Sequence, residues 1–335
     1  MSIKIGVIGA GNLGKVLATL LASSGYDVEI AVKRKAGVKI NDSFLYEIRG
    51  DFGDKSCLIP TVQNIDKFTT KKDIIICAVR NYDLASTAKK ALKHLENNGT
   101  IISIHNMFAV SDIMRIIPDE KSVCMFCNFA CTEVNKHIYV SNSCGMTLGV
   151  YNRGAKGRLD IVAKIFSKYC SIQFAPDVFG LGISRTIINN AISAMGAITG
   201  DRLGKILENK RGRKIFCKLI EETVAVCRRY RIKICPYNDI LDYCRFTENS
   251  ISGKIYKFRI LRLLRKQNGF IRSSALLDFE RGKKPELLYL LENFLKYAVK
   301  SRVDIKYIRQ VYNMLLDIYN GNIRIDENNL EKIID

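Results

Sequence analysis

The stretch IKIGVIGAGNLG (residues 3–14) decides the fold class of this chain of 335 residues. A short apolar run leads into three glycines with the spacing G-x-G-x-x-G, and helical periodicity follows over residues 15–24. Gly9 permits a tight turn, Gly11 lets the backbone approach a pyrophosphate, and Gly14 allows a helix to pack closely on a strand. The order of strand, glycine turn and helix predicts a dinucleotide-binding domain.

Strand-like and helical segments alternate through the first half of the chain, which is typical of a mainly parallel sheet. We predict further strands at residues 27–32, 74–79, 101–104 and 123–129, with residues 33–68 as a peripheral part of the sheet with loops. After Pro176, long stretches with a period of 3.6 residues replace the strands. The prediction is an α/β protein with a Rossmann-type parallel-sheet domain over residues 1–175 and an all-helical domain over residues 176–335.

The chain is basic, with 53 Lys and Arg against 33 Asp and Glu. This charge is compatible with a Lys-rich solvated surface, or with an anionic partner such as nucleic acid, acidic lipid or a phosphorylated cofactor. Residues 254–266 interleave cations with Ile255, Phe258, Leu261 and Leu264. Such a pattern is found in nucleic-acid and membrane-surface helices, and also in amphipathic helices that pack one face inward. We favour inward packing and expect neither a nucleic-acid nor a membrane partner.

The eleven cysteines follow no framework spacing, which indicates free thiols in a reducing compartment, the cytoplasm. Cys124, Cys127 and Cys131 resemble a metal cluster, but residues 122–130 read as a strand, where positions three apart face opposite sides. We therefore expect no metal site. The longest apolar runs are far shorter than the ~20 residues that span a bilayer.

The preference for NAD or NADP depends on the residues at the end of the second predicted strand. NAD-binding proteins have an Asp or Glu there, which binds the ribose hydroxyls. This chain has VKRK at residues 32–35 instead. Lys33 and Arg34 can pair with a 2′-phosphate, which a carboxylate would repel. Glu29 lies inside the strand, too early to hold the ribose. The sequence therefore predicts NADP(H) as the cofactor.

Motifs in the same order along nearly the whole chain resemble the ketopantoate reductase (2-dehydropantoate 2-reductase) family. They are GAGNLG (residues 9–14), Lys33-Arg34, CAVR (residues 77–80), His105-Asn106, RTIINNAIS (residues 185–193), AITG (residues 197–200), and Ser274 with Glu286. The segment 185–193 falls where the family has a Lys-x-x-x-Asn-x-x-x-Asn helix, and Ser274 and Glu286 keep the family's late Ser and Glu spacing.

The resemblance implies reduction of a 2-keto acid by NADPH, ketopantoate or a close analogue as in pantothenate biosynthesis, in a cleft between two domains. It implies catalytic roles for Arg185 and Glu286, and substrate binding by Asn106, Asn189, Ser193 and Ser274. The implied cofactor-binding residues are Gly9, Gly11, Asn12, Leu13, Gly14, Lys33, Arg34, Arg80 and Asn106. A homodimer formed through the helical domain is compatible with this organisation.

Four positions depart from the family pattern. Arg185 occupies the place of the catalytic lysine, and because a guanidinium stays protonated it can stabilise an alkoxide but is a poor proton donor. Ser193 replaces the second asparagine of the helix. Met107 replaces the glycine after the strand-end asparagine, and Leu288 replaces an acidic residue.

These departures leave two other interpretations open. A non-catalytic NADP-binding sensor or partner-binding relative of the family would keep the same nucleotide motif without the chemistry. An opine-type or other dehydrogenase on the same two-domain plan would use a different acid–base residue, for which His105 is the candidate.

Overall fold

The computed structural model describes residues 2–33, 43–105, 116–135, 137–141, 145–150, 156–237 and 240–334. The described residues before Phe179 form one compact unit, and those from Phe179 onward form a second. The first unit is built on a sheet flanked by helices, and the second is helical. This is the α/β fold class that the sequence predicts.

The described strands of the first unit form a single sheet. They are β1 (Lys4–Ile8), β2 (Asp27–Ala31), β3 (Ser43–Gly50), β4 (Lys55–Val62), β5 (Lys72–Cys77), β6 (Leu95–Ser103), β7 (Ser122–Cys127), β8 (Ala130–Val134), β9 (His137–Ser141), β10 (Met146–Gly149) and β11 (Ile172–Phe174). Their order is β11-β10-β7-β6-β5-β1-β2-β4-β3-β9-β8. Because β2, β1, β5, β6 and β7 pair in parallel, their carboxyl ends lie along one edge of the sheet.

Three described helices cover the two faces of the sheet: α1 (Asn12–Ser23), α2 (Asn81–Ala91) and α3 (Lys156–Phe166). In β5, Ile74 and Ile76 pack in the core that includes Leu17 of α1, whereas Ile75 and Cys77 pack in the core that includes Leu84 of α2. Successive side chains of a strand point to opposite faces, so a strand covered on both sides must be apolar throughout. This explains the uninterrupted run that identified β5.

A buried ion pair lies within this first unit. The Nζ atom of Lys72, at the start of β5, is 2.7 Å from Oε2 of Glu29 in the middle of β2, and both side chains are almost inaccessible. The same carboxylate oxygen accepts hydrogen bonds from the backbone N–H and the hydroxyl of Thr69. The Glu29 side chain is therefore buried in the sheet, as its position within the strand predicts.

The second unit consists of α4 (Val178–Thr199), α5 (Leu203–Glu208), α6 (Lys210–Arg229), α7 (Tyr243–Phe246), α8 (Ile251–Asn268), α9 (Ser274–Glu280), α10 (Glu286–Ser301) and α11 (Lys306–Tyr319), with α4 beginning at the boundary. Polar residues cap several of these helices: the Asn209 side chain accepts from two backbone N–H groups of α6, and Asp242 does the same for α7. Apart from one isolated bridge, the described residues after Phe174 contribute no strand.

The basic segment belongs to α8, but the face that it buries differs from the expectation. Ile255 and Phe258 are 56% and 68% exposed, while Ile260 and Leu264 are buried together with Gly253. A Cβ atom on Gly253 would lie 2.6 Å from the carbonyl oxygen of Glu248, so the absence of a side chain permits this close approach. The glycine, and not the larger apolar side chains, thus sets the inward face near the start of the helix.

No cysteine that the structure describes forms a disulfide bond, and Cys124 is buried within β7. The described residues contain no group of three or more His, Cys, Asp or Glu placed to hold a metal ion. Among the described helices, none combines the length and apolar character needed to cross a bilayer.

Candidate functional site

The turn between β1 and α1 gives its three glycines the backbone roles that their spacing predicts. Gly9 has φ +106°, and a Cβ atom there would lie 2.5 Å from the carbonyl oxygen of Ala78. A Cβ atom on Gly14 would lie only 2.0 Å from the carbonyl oxygen of Gly9, whereas one on Gly11 would meet nothing within 4 Å. Gly9 and Gly14 are therefore required by the fold, and Gly11 keeps a space open in front of the helix.

The first turn of α1 is suited to an anion. Gly11 occupies the N-cap without a side-chain cap, and the first turn contains no acidic residue. Its backbone N–H groups, including those of Asn12 and Leu13, carry the partial positive charge of a helix N-terminus. A pyrophosphate fits this chemistry and the open space at Gly11. The Asn12 amide donates to the carbonyl of Cys131 in β8 at 3.4 Å, so its side chain is held to one side.

Lys33, one of the cations predicted to bind the 2′-phosphate of the cofactor, forms an ion pair. Lys33 lies two residues beyond the end of β2, and its Nζ atom is 3.0 Å from Oδ1 of Asp83 in the first turn of α2. Arg80 is the N-cap residue of that helix. Arg34 lies outside the described residues. Asp83 was not predicted as a site residue; its only signal in the sequence is an acidic residue in the first helical turn after β5.

His105 lies beside the carboxyl ends of β5 and β6, but its environment does not suit an acid–base catalyst. The ring is 5% exposed, and its Nε2 atom is 2.7 Å from the carbonyl oxygen of Val79. Because a carbonyl only accepts, Nε2 carries the proton. Burial lowers the pKa of His105 to about 4, so the ring is neutral near pH 7. The geometry indicates a structural role for His105, which links the ends of β5 and β6.

The neighbouring Asn106, predicted to bind both substrate and cofactor, lies outside the described residues, as does Met107.

In the second unit, α4 carries three of the predicted site residues on one face, the catalytic candidate Arg185 and the substrate-binding candidates Asn189 and Ser193. Arg185, Asn189 and Ser193 are spaced by four residues, and all three are partly exposed, whereas Thr186 and Ile188 are buried. Residues four apart lie above one another on a helix, so the guanidinium, amide and hydroxyl groups form a polar row. Below α4, the buried hydroxyl of Tyr243 donates to the carbonyl oxygen of Ser184 at 2.6 Å and fixes the helix in place.

Ser274 joins the end of this polar row. Its Oγ atom is 3.4 Å from that of Ser193. The adjacent Ser273 donates to the carbonyl oxygen of Ser193 at 2.7 Å and caps α9, so it fixes Ser274 against α4. A Cβ atom on Gly196 would lie 2.6 Å from that of Ser273, so glycine is needed for this approach. The structure thus brings together residues that are about 80 positions apart in the sequence.

Glu286 and Leu288 both belong to the start of α10. Glu286 is the first residue of the helix, follows Pro285 at the N-cap, and is half-buried. Leu288 is 2% exposed and belongs to the interior of the unit. An apolar side chain at this position is explained by packing, and a carboxylate there would be buried.

Comparisons with known proteins agree with this architecture. The family model described as ketopantoate reductase PanE/ApbA matches residues 5–153, and the model of the C-terminal region of the same family matches residues 180–318. The 2-dehydropantoate 2-reductase of Pyrococcus abyssi is 23% identical over 297 residues, covering 88% of this chain and 91% of that protein.

Two solved structures share the fold. One is a PanE/ApbA family ketopantoate reductase from Ralstonia eutropha, with a TM-score of 0.76, 18% identity, and coverage of 95% of this chain and 99% of that chain. The other is a D-mandelate dehydrogenase in a ternary structure with NADH and anilino(oxo)acetate, with a TM-score of 0.77, 14% identity, and coverage of 96% and 100%. At these identities the structures support the fold alone, whereas the family models match most of the chain. The chain belongs to the ketopantoate reductase family.

Proposed function

We propose that this protein reduces a 2-keto acid to a 2-hydroxy acid with NADPH, and that the substrate is ketopantoate or a close analogue. The observation that carries the proposal is the polar row of Arg185, Asn189 and Ser193 on one face of α4, with the Ser274 hydroxyl 3.4 Å from that of Ser193. A cation followed by hydrogen-bonding groups suits a small anion with a polarised carbonyl. In this proposal residues 1–175 form the nucleotide domain and residues 176–335 the substrate domain.

The nucleotide would be held by the glycine turn and by nearby cations. The backbone of residues 9–14 would receive the pyrophosphate, and Lys33 and Arg34, with Arg80, would receive the 2′-phosphate. Support comes from the open space at Gly11 and the uncapped first turn of α1. Bound NADPH would supply the hydrogen and the electron pair of the reduction.

The substrate groups would be held by the second unit and by Asn106. Asn189, Ser193 and Ser274 would form hydrogen bonds to the keto acid, and Glu286 would accept one from a substrate hydroxyl. Arg185 would stabilise the negative charge that develops on the carbonyl oxygen. Since a guanidinium does not release its proton near pH 7, the proton that completes the alcohol would come from water or from a neighbouring group.

A second candidate function is nucleotide binding without catalysis, as in a sensor or a partner-binding relative. Arg185 favours it, because the family's reaction uses a lysine as the proton donor at this position. The two candidates share the nucleotide site and differ in turnover.

The deciding experiment is NADPH oxidation with ketopantoate and a panel of other 2-keto acids, with and without amines. We expect turnover with at least one acid, and a fall of roughly ten- to a hundredfold in kcat/KM for Asn189→Ala, the loss of one or two hydrogen bonds to a charged substrate. Asn190→Ala is the matched control, because Asn190 lies next on the same helix but off the polar row. Tight NADPH binding without any turnover would favour the non-catalytic alternative.

The cofactor is tested separately by titration. Lys33→Glu combined with Arg34→Glu should weaken NADPH binding by roughly a hundredfold or more, because each charge-assisted contact to a phosphate contributes about 1.5–3 kcal/mol. NADH binding should change much less. Equal affinities of the native protein for both nucleotides would contradict the NADPH preference.

A further inference from the structure

An ion pair spans the edge of the sheet on which the glycine turn lies. The Nζ atom of Lys33, just beyond β2, is 3.0 Å from Oδ1 of Asp83, in the first turn of the helix that follows β5. The lysine side chain is 86% exposed and the aspartate side chain 30% exposed. The pair is therefore reachable by a ligand and is not part of the core.

The sheet order places this pair beside the glycine turn. β2 and β5 are the two neighbours of β1, and both pair with it in parallel. The N–H of Gly9 donates to the carbonyl oxygen of Ala31 at the end of β2, and the N–H of Ala78 donates to that of Ile8 at the end of β1. A side-chain link from Lys33 to Asp83 thus reaches across the end of β1. In open α/β sheets this edge, next to the second strand, receives the adenosine ribose of a dinucleotide.

The two members of the pair favour different nucleotides. An ammonium group attracts a 2′-phosphate, whereas a carboxylate repels it and can accept hydrogen bonds from free ribose hydroxyls. The sequence pattern at residues 32–35 includes only the cations. In the folded protein a carboxylate lies next to the first of these cations, Lys33. It belongs to Asp83, 50 positions later in the sequence than Lys33, and it forms an ion pair with Lys33.

We propose that Asp83 sets the nucleotide selectivity of this protein, by neutralising Lys33 and by supplying the carboxylate that the end of β2 lacks. This inference rests on the proposed binding of NADPH. It identifies Asp83 as a residue that limits the preference for the 2′-phosphate and allows NADH to compete.

A purely structural role for Asp83 gives a different outcome. A carboxylate in the first turn of a helix interacts favourably with the helix N-terminus, and an exposed ion pair adds little stability. Loss of such a role would lower the stability of the fold and leave the ratio of the two nucleotide affinities unchanged. The ratio of dissociation constants therefore separates the two roles.

The test is to titrate NADPH and NADH into the full-length protein and its Asp83→Asn variant. Removing the negative charge beside Lys33 should tighten NADPH binding by roughly fivefold, and removing an acceptor for the ribose should weaken NADH binding by a few fold. The selectivity ratio should then rise by roughly tenfold or more. Asp83→Glu, which keeps the charge, should return most of the native ratio.

Asp66→Asn is the matched control. Asp66 is also ion-paired, to Lys90 at 3.7 Å, but Lys90 lies in the last turn of α2, away from the glycine turn. Its variant should leave the ratio unchanged. An unchanged ratio in Asp83→Asn, or an equal rise in Asp66→Asn, would overturn the assignment of Asp83. If the native protein bound neither nucleotide, the proposed function itself would fail.

Discussion

The glycine turn of the first unit and the polar row on α4 of the second unit serve the same proposed reaction, but they are specified in different ways. At the turn, backbone atoms set the requirement: Cβ atoms on Gly9 and Gly14 would collide with carbonyl oxygens. On α4, buried neighbours such as Thr186 and Ile188 hold the helix, and the polar row lies on the partly exposed side. The fold thus restricts the side chains of the glycine turn more tightly than the partly exposed side chains of the polar row.

This difference indicates which positions should tolerate substitution without loss of the fold. A substitution within the turn alters the fold and the site together, so the G-x-G-x-x-G spacing is complete here. A substitution at the partly exposed positions of the polar row should change the chemistry with little effect on the position of α4. Changes inside the first unit should therefore affect stability, and changes in the polar row should affect activity.

The largest effect is expected at the buried ion pair between Lys72 and Glu29 in the sheet of the first unit. Lys72→Met removes the cation and leaves the Glu29 carboxylate charged in the interior, which should lower the free energy of unfolding by about 3–5 kcal/mol. Urea unfolding measures this difference. Lys71→Met, at the exposed neighbouring position, should change stability by less than about 0.5 kcal/mol.

The double variant Lys72→Met with Glu29→Leu sharpens this test, because it removes both charges and should recover much of the loss. A Lys72→Met protein as stable as the native one would show that the pair does not support the sheet, and would weaken the contrast between the two regions.

Gly14→Ala should have the next largest effect. Its methyl group would lie 2.0 Å from the carbonyl oxygen of Gly9, so α1 must move away from β1. We expect a loss of about 3 kcal/mol in unfolding free energy, at the upper end of overpacking effects. Gly11→Ala meets open space and should unfold within about 1 kcal/mol of the native protein, yet it should weaken NADPH binding because its methyl group occupies the approach of the pyrophosphate.

Comparing the two glycine variants separates fold from binding. Equal losses of stability would contradict the geometry described for the turn, and unimpaired NADPH binding by Gly11→Ala would contradict the placement of the pyrophosphate.

Much of the first unit could be predicted from the sequence because its strands are buried on both faces and read as apolar runs. β1, β2 and β5 are of this kind. β8 and β9 were missed: β8 is mostly exposed, β9 alternates exposed and buried residues, and each strand is only five residues long. Residues 43–62 were assigned only to a peripheral part of the sheet, and they form β3 and β4.

The candidate site shows the same limit. Helical spacing alone places Arg185, Asn189 and Ser193 on one face. The approach of Ser274 to Ser193 and the pairing of Lys33 with Asp83 depend on how distant segments pack. No local pattern encodes such contacts, so the family resemblance was needed for the first, and the second was missed.

The pH dependence of stability tests the structural role of His105. Burial lowers its pKa from 6.5 to about 4 in the folded protein. The unfolded chain therefore binds a proton between these values while the folded protein does not, and the contribution of His105 is present above pH 6.5 and lost as the pH falls towards 4. The loss should approach about 3 kcal/mol. His105→Gln should flatten this part of the profile, measured by urea unfolding at several pH values.

If His105 were instead an acid–base catalyst, its removal would abolish turnover, and the pH–rate profile of the native protein would show its titration near neutral pH. We expect the variant to retain measurable activity with the acid that the native protein reduces.

The smallest effect concerns Arg185, and it bears directly on the contrast between the two regions. Arg185→Lys introduces a group that can give up a proton, and because position 185 is partly exposed the substitution should leave the unfolding free energy within about 0.5 kcal/mol. If Asn189, Ser274 and Glu286 still form a pocket for ketopantoate, kcat with this acid should rise, by roughly tenfold or less, since proton transfer contributes more than that only in a fully adapted site. The lysine side chain is shorter, and its ammonium group must still reach the carbonyl oxygen, which limits the gain in kcat.

Steady-state NADPH oxidation measures this change in kcat, and Arg185→Gln, which removes the charge, should lower activity instead. If Arg185→Lys reduced turnover of every 2-keto acid, the pocket would be adapted to the guanidinium, and the polar row would be as tightly specified as the glycine turn.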